Sequence, residues 1–148
     1  MLRADRLILE HLALAAIAAD LVRHAEARPI DPVAIATTRW SLSRQLLAHL
    51  AVEDRLLYPM LRRSPDRATA ALADRFAAEL GGLADRFKDY MRHWTAQRIA
   101  HDPDGFERDT RALSAQLDER ILREEADLYR HIPDMPAVAK VDVAARGA

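Results

Sequence analysis

Apolar residues recur three and four positions apart along four long stretches of this chain, the spacing that lines one face of an α-helix. The first seam reads Leu7, His11, Leu14, Ala18, Leu21, and the second Leu42, Leu46, His49, Glu53, Leu56, Met60. The third reads Leu72, Phe76, Glu79, Leu83, Phe87, Tyr90, Trp94, and the fourth Leu113, Leu117, Arg120, Glu124, Leu128. Breaker clusters separate them: Arg28-Pro29-Ile30-Asp31-Pro32, Ser64-Pro65-Asp66 and Asp102-Pro103-Asp104-Gly105, with Ile132-Pro133 closing the last. The pattern predicts helices over roughly residues 3–27, 32–62, 65–100 and 104–131. Short connections between long helices favour neighbours that run up and down. The expected fold is therefore all-α, an antiparallel up-and-down four-helix bundle over residues 1–132, with a loosely ordered tail over 133–148. Pro32 and Pro65 suit a first helical turn, and Gly81-Gly82 predicts a kink or a close approach within the third helix.

Polar residues interrupt every seam, and the interruptions fall at similar depth. Folding the sequence about residue 30 sets position 11 against 49, and folding about 64 and 65 sets 49 against 80, beside Glu79. Folding about 102 and 103 sets 79 against the neighbourhood of 124 to 127. His11, His49, Glu53, Glu79, Arg120 and Glu124 are accordingly expected in one buried layer. Burying charge is costly unless the groups pair or bind a cation. Imidazole with carboxylate suits iron, manganese or zinc, and bundle interiors are a common place to build such sites. His49 and Glu53, four residues apart, project from one helix face, while His11, Glu79 and Glu124 approach from the other three.

With these residues in place the chain resembles the hemerythrin-like, or HHE cation-binding, family. The resemblance rests on His11, on His49-Leu-Ala-Val-Glu53-Asp-Arg-Leu-Leu-Tyr58-Pro59, and on Arg120-Ile-Leu-Arg-Glu124-Glu125-Ala-Asp-Leu-Tyr129, and it runs from the first helix to Tyr129. It implies a four-helix bundle with a non-haem di-iron centre held by histidines and bridging carboxylates, in proteins that carry or sense oxygen or serve iron and redox responses. By resemblance, His11, His49, Glu53 and Glu124 take ligand positions. The chain departs from the family where helix 4 would offer histidine and has Arg120, and where helix 3 would offer histidine and has Glu79. Arginine stays protonated and has no lone pair to give.

A charge count keeps two states open. Glu53, Glu79 and Glu124 bring three negative charges and Arg120 one positive, so with neutral histidines one divalent cation would balance the layer. With both histidines protonated and no metal it also balances. The site is either a depleted hemerythrin-like centre holding iron, with manganese or zinc as other candidates, or a metal-free interaction module in which Arg120 ion-pairs with the core carboxylates. Sensing of oxygen or redox state, or an iron-related accessory role, is expected rather than reversible oxygen carriage. The Glu-x-x-His pairs of ferritin-like sites are absent from these seams, so an enzyme such as a ferroxidase is not the favoured reading.

Composition narrows the partners further. Twenty-two basic and 23 acidic residues leave a net charge of -1, which supplies no global pull on nucleic acid or an anionic membrane. The absence of cysteine excludes disulfides and thiolate ligands. The run from Leu7 to Val22 superficially mimics a secretory leader, but Glu10, His11 and Asp20 break it, so a soluble, cytoplasmic protein is expected. His24, His101 and His131 lie near helix ends, where exposed histidines are ordinary. Tyr58 and Tyr129 are placed to donate hydrogen bonds to the polar layer. Apolar residues outside the seams would support a homodimer or a protein partner.

Overall fold

A computed structural model describes residues 2–133 of the chain. The expected tail lies outside the described residues, apart from Pro133. The helices are α1 (Ala4–Glu26), α2 (Pro32–Val52), α3 (Tyr58–Arg62), α4 (Arg67–Leu80), α5 (Leu83–His93), α6 (Ala96–His101) and α7 (Pro103–Arg123). A π-helical turn, Glu53–Leu57, joins α2 to α3; a second, Glu124–Leu128, extends α7 and leads into a 3-10 turn at Tyr129–His131. No strand occurs among the described residues, and the molecule is an all-α bundle of four helical columns.

Local chemistry sets the column ends. Asp31 accepts hydrogen bonds from the Val33 and Ala34 amides with Pro32 at the first turn, and Asp102 accepts from the Gly105 amide with Pro103 placed alike. Asp66 caps Ala68 and Thr69, so α4 starts at Arg67 and Pro65 stays outside it. The predicted third helix is interrupted at the two glycines. Gly81 is extended and Gly82 adopts φ 80, a left-handed conformation that glycine reaches without the clash a Cβ would bring. A further break at Trp94 and Thr95 sets off α6, capped by the Thr95 hydroxyl.

Cross-column contacts fix the direction of neighbours. Arg28 and Arg111 tie the end of α1 to the start of α7, through Asp104, Glu107 and Glu26. At the other end of α1, His11 meets Glu125 and Tyr129. Arg62 pairs with Asp74 near one end of the second and third columns, and Arg39 reaches Trp94 near the other. Tyr90 meets Thr110 while Arg123 meets Glu79. Columns one and four, two and three, and three and four therefore run antiparallel.

The π turns move the core by one residue. A straight α-helix from Glu53 would bury Leu56 and Met60, as the spacing predicts, but the i to i+5 turn widens the helix by one position. Leu57 and Leu61 are buried instead, while Leu56 is 58 % exposed and Met60 only half-buried. The apolar core forms two clusters. One, around Leu14, Leu21, Leu46, Phe87 and Phe106, fills the half of the bundle near the α1–α2 connection. The other, around Leu7, Leu57, Leu61, Phe76 and Leu128, fills the half near both π turns. Between them lies the polar layer. No helix among the described residues is long and apolar enough to cross a membrane.

Candidate metal centre

His11 comes from α1, His49 from the last turn of α2, Glu53 from the first position of one π turn and Glu124 from the first position of the other. All four are buried, and one ligand-type atom from each falls within 4.8 Å of the others. His11 Nε2 stands 3.6 Å from both Glu53 Oε1 and Glu124 Oε1. His49 Nε2 lies 3.0 Å from Glu53 Oε1, yet off the line of a hydrogen bond. His49 Nε2 and Glu124 Oε1 are the buried side-chain atoms left without a hydrogen-bond partner among the described residues. Orphaned buried atoms are expensive, and in a native core they call for a reason.

The far sides of the imidazoles are held. His11 Nδ1 meets Glu125 Oε1 at 3.1 Å, and His49 Nδ1 meets Glu10 Oε2 at 2.7 Å. A carboxylate on one ring nitrogen orients the ring and raises the basicity of the other, which is the support that metal-binding histidines commonly receive. The sequence reading did not single out Glu10 or Glu125 for this. Their signal was adjacency: each sits beside a seam residue, His11 and Glu124, where a helix turns it to the rim of the layer.

The second oxygens face elsewhere. Arg120 Nη2 donates to Glu53 Oε2 at 2.8 Å and Arg120 Nε to Glu124 Oε2 at 3.1 Å, while Asp54 takes a further bond from Nη2 at 3.0 Å. The guanidinium also lies over the Tyr58 ring, 5.5 Å from its centre. Each glutamate thus turns Oε1 towards the histidines and Oε2 towards the arginine. The Tyr58 hydroxyl donates to Glu124 Oε2 at 2.8 Å. The Tyr129 hydroxyl donates to Glu53 Oε1 and lies 2.9 Å from His11 Nε2.

Glu79 is the expected site residue that the structure does not bring in. It is an exposed residue whose carboxylate pairs with Arg123, and Leu80 is buried in its place. The buried seam runs Phe76, Leu80, Leu83, Phe87, in steps of four, three and four, so it continues past Gly81 and Gly82 through Leu80, the neighbour of Glu79. The charge count changes with it. Glu53, Glu124 and Arg120 leave one net negative charge in the buried layer when the histidines are neutral, with Glu10, Glu125 and Asp54 at its rim.

Electrostatics within the layer follow from burial set against neighbours. Burial favours neutral imidazole, but Glu124, Glu125 and Glu53 outweigh it at His11 and push it up to about 11. His49 is raised in the same way, by Glu53 and Glu10 against burial. Burial works against ionised Glu53, yet His11, His49 and Arg120 hold its carboxyl well below the usual range. Glu124 moves upward, because burial and the charge of Glu53 exceed the pull of His11 and Arg120. Burial, reinforced by the carboxylates, raises both Tyr58 and Tyr129, which keeps their hydroxyls protonated as donors.

The donor set, two imidazole nitrogens and two carboxylate oxygens converging from four backbone positions, fits one divalent cation of the iron, manganese or zinc kind. A family model described as the hemerythrin HHE cation binding domain matches residues 3–132. Neither the curated proteins nor the solved structures provide a match.

Proposed function

From the premise that the chain belongs to the hemerythrin HHE cation-binding family, we propose that it binds a single divalent cation, iron foremost, in a centre reduced from two metals to one. His11 and His49 would offer Nε2, and Glu53 and Glu124 would offer Oε1. The observation that carries the reading is the orphaned pair His49 Nε2 and Glu124 Oε1, both buried and both aimed into the cluster. Arg120 occupies the Oε2 side of both carboxylates, where carboxylates bridging a pair would need a second cation. A guanidinium there is a fixed positive charge without a lone pair.

Iron in such a centre supplies a redox-active ion whose state responds to its surroundings. The chain's own residues do the rest. Glu10 and Glu125 orient the two rings, Arg120 offsets carboxylate charge, and Tyr58 and Tyr129 donate to the carboxylates. A role in redox or oxygen sensing, or as an iron-related accessory, suits a one-cation centre better than oxygen carriage.

A second reading has its own supporting observation. The Arg120 guanidinium bonds Glu53, Glu124 and Asp54 together, so the layer can also serve as an ion-pair network that fixes helix register in an interaction module. Metal analysis together with thermal melting separates the readings. Near one metal per chain, with a melting temperature raised by iron, manganese or zinc and lowered by chelator, supports the cation centre, since a ligand bound only to the folded state must stabilise it. Two iron atoms per chain would overturn the one-cation proposal. No metal response at all leaves the ion-pair network.

A further inference from the structure

A second site is built at the opposite half of the bundle, in the apolar cluster that excludes the carboxylate layer. There a cavity of about 290 Å3 opens between α2, α5 and α6, walled by Ile35, Trp40, Met91, Trp94 and Ile99. Its lining holds one charged residue, Arg39, which is only 7 % exposed. Arg39 Nη1 donates to the Trp94 carbonyl at 2.8 Å and Nη2 to the Met91 carbonyl at 3.3 Å. Nε and Nη2 share the Met91 thioether sulfur, a weak acceptor, at 3.3 Å. The guanidinium also sits over the rings of Tyr90 and Phe106, at 5.3 and 5.6 Å.

The charge of Arg39 is incompletely answered. The carbonyls it reaches belong to the C-terminal end of α5, and a helix end carries about half a negative charge. Burial works against the guanidinium, and among the described residues no aspartate or glutamate pairs with it. Asp109, which approaches the same helix end, is taken by Trp94 Nε1 at 3.0 Å and by Arg108. Arginine cannot relieve the imbalance by losing its proton. A cavity with apolar walls and one buried, under-compensated, pre-oriented cation has the chemistry that selects an apolar molecule with an anionic head. The walls are aliphatic and indole surfaces, and the volume is at the small end for a ligand site.

We propose that this cavity binds a medium-chain aliphatic carboxylate, its tail against Ile35, Trp40 and Ile99 and its head on the guanidinium of Arg39. The site is separate from the carboxylate layer, and the proposal stands whichever way the metal experiments fall. Both of the chain's tryptophans, Trp40 and Trp94, line the cavity, so occupancy is readable as a change in intrinsic emission.

The test is titration of the full chain with octanoate, 1-octanol and octylamine, followed by tryptophan emission and calorimetry. Octanoate is expected to saturate at one per chain, 1-octanol to bind about tenfold more weakly or worse for want of a charged head, and octylamine not to bind. Arg39→Met is expected to reduce octanoate to the level of 1-octanol. Because that variant removes a buried helix-end contact and can fail to fold, Ala36→Phe provides the second arm. Ala36 lines the cavity from an exposed position, so a ring there fills the space while leaving the melting temperature near that of the parent. Loss of octanoate binding in a folded Ala36→Phe protein supports the site. Equal affinity for octanoate and 1-octanol, retention of binding in Ala36→Phe, or partitioning that never saturates overturns it.

Discussion

Arg120 Nη2 lies 2.8 Å from Glu53 Oε2, although only 2 % of the arginine side chain and none of the glutamate's is exposed. The pair binds columns two and four at the depth where two apolar clusters are parted, and the same guanidinium reaches Glu124 on its own column. Replacing it with methionine keeps an unbranched stem but removes the guanidinium, and with it the charge and the donors. Removing one partner of a buried pair typically costs about 3–5 kcal/mol, because the other charge is left uncompensated. Arg120→Met is therefore expected to melt well below the parent in chelator, and to recover more stability than the parent does when manganese or zinc is added. Melting curves with and without metal read both effects. Coincident curves for parent and variant in chelator would refute the role assigned to the pair.

The two tyrosines of the layer should differ in weight. Tyr129 serves Glu53 and His11 at once, whereas Tyr58 donates to a Glu124 oxygen that also has Arg120. Leaving a buried group unsatisfied costs roughly 1–3 kcal/mol, and a group with a second partner loses less. Chemical denaturation of Tyr129→Phe and Tyr58→Phe is expected to place both below the parent, with Tyr129→Phe lower. The reverse order would show that the hydroxyl between His11 and Glu53 is not the one the layer depends on.

Glu79 has the opposite expectation. Its carboxylate is exposed and its pairing with Arg123 is at the surface, where ion pairs contribute about 0–1 kcal/mol. Glu79→Gln should leave metal content unchanged and shift stability by no more than roughly 0.5 kcal/mol. A drop in metal content would bring Glu79 back among the site residues. This residue also shows where reading by spacing runs out. His11, His49, Glu53, Arg120 and Glu124 were legible because each stands on a seam whose phase is unbroken from the apolar residues before it, from Leu7 to His11, Leu46 to Glu53 and Leu117 to Glu124. Glu79 and Leu80 both fit the gap between Phe76 and Leu83, as three plus four or four plus three, so spacing alone does not choose between them, and the structure buries the apolar one. Leu56 and Met60 were misplaced for a different reason, since nothing in the residue types of Glu53–Leu57 announces an i to i+5 turn. Glu10 and Glu125 act from outside the seams, and a rule that tracks one helix face passes over its neighbours.

The π turn at Glu53–Leu57 makes a prediction by deletion. Within that turn the chain holds one residue more than an α-helix needs to pass from Glu53 to the next core position, and Leu56 is its most exposed apolar member. Deleting Leu56 lets the turn relax to α-helix, after which Leu57 and Leu61 follow Glu53 at ordinary core spacing and the column stays in register. Deleting Ala48 removes one residue from a regular part of α2 instead, and rotates His49 and Glu53 about 100° away from the layer. The first deletion is expected to give a cooperatively melting helical protein, destabilised by about 1–3 kcal/mol; the second should lose more than about 4 kcal/mol, because Arg120 and Glu124 would be stranded in the core without their partners. Circular dichroism melts of the two proteins decide it. If they are equally destabilised, the extra residue is not what the π turn accommodates, and the displacement of the core from Leu56 and Met60 to Leu57 and Leu61 needs another cause.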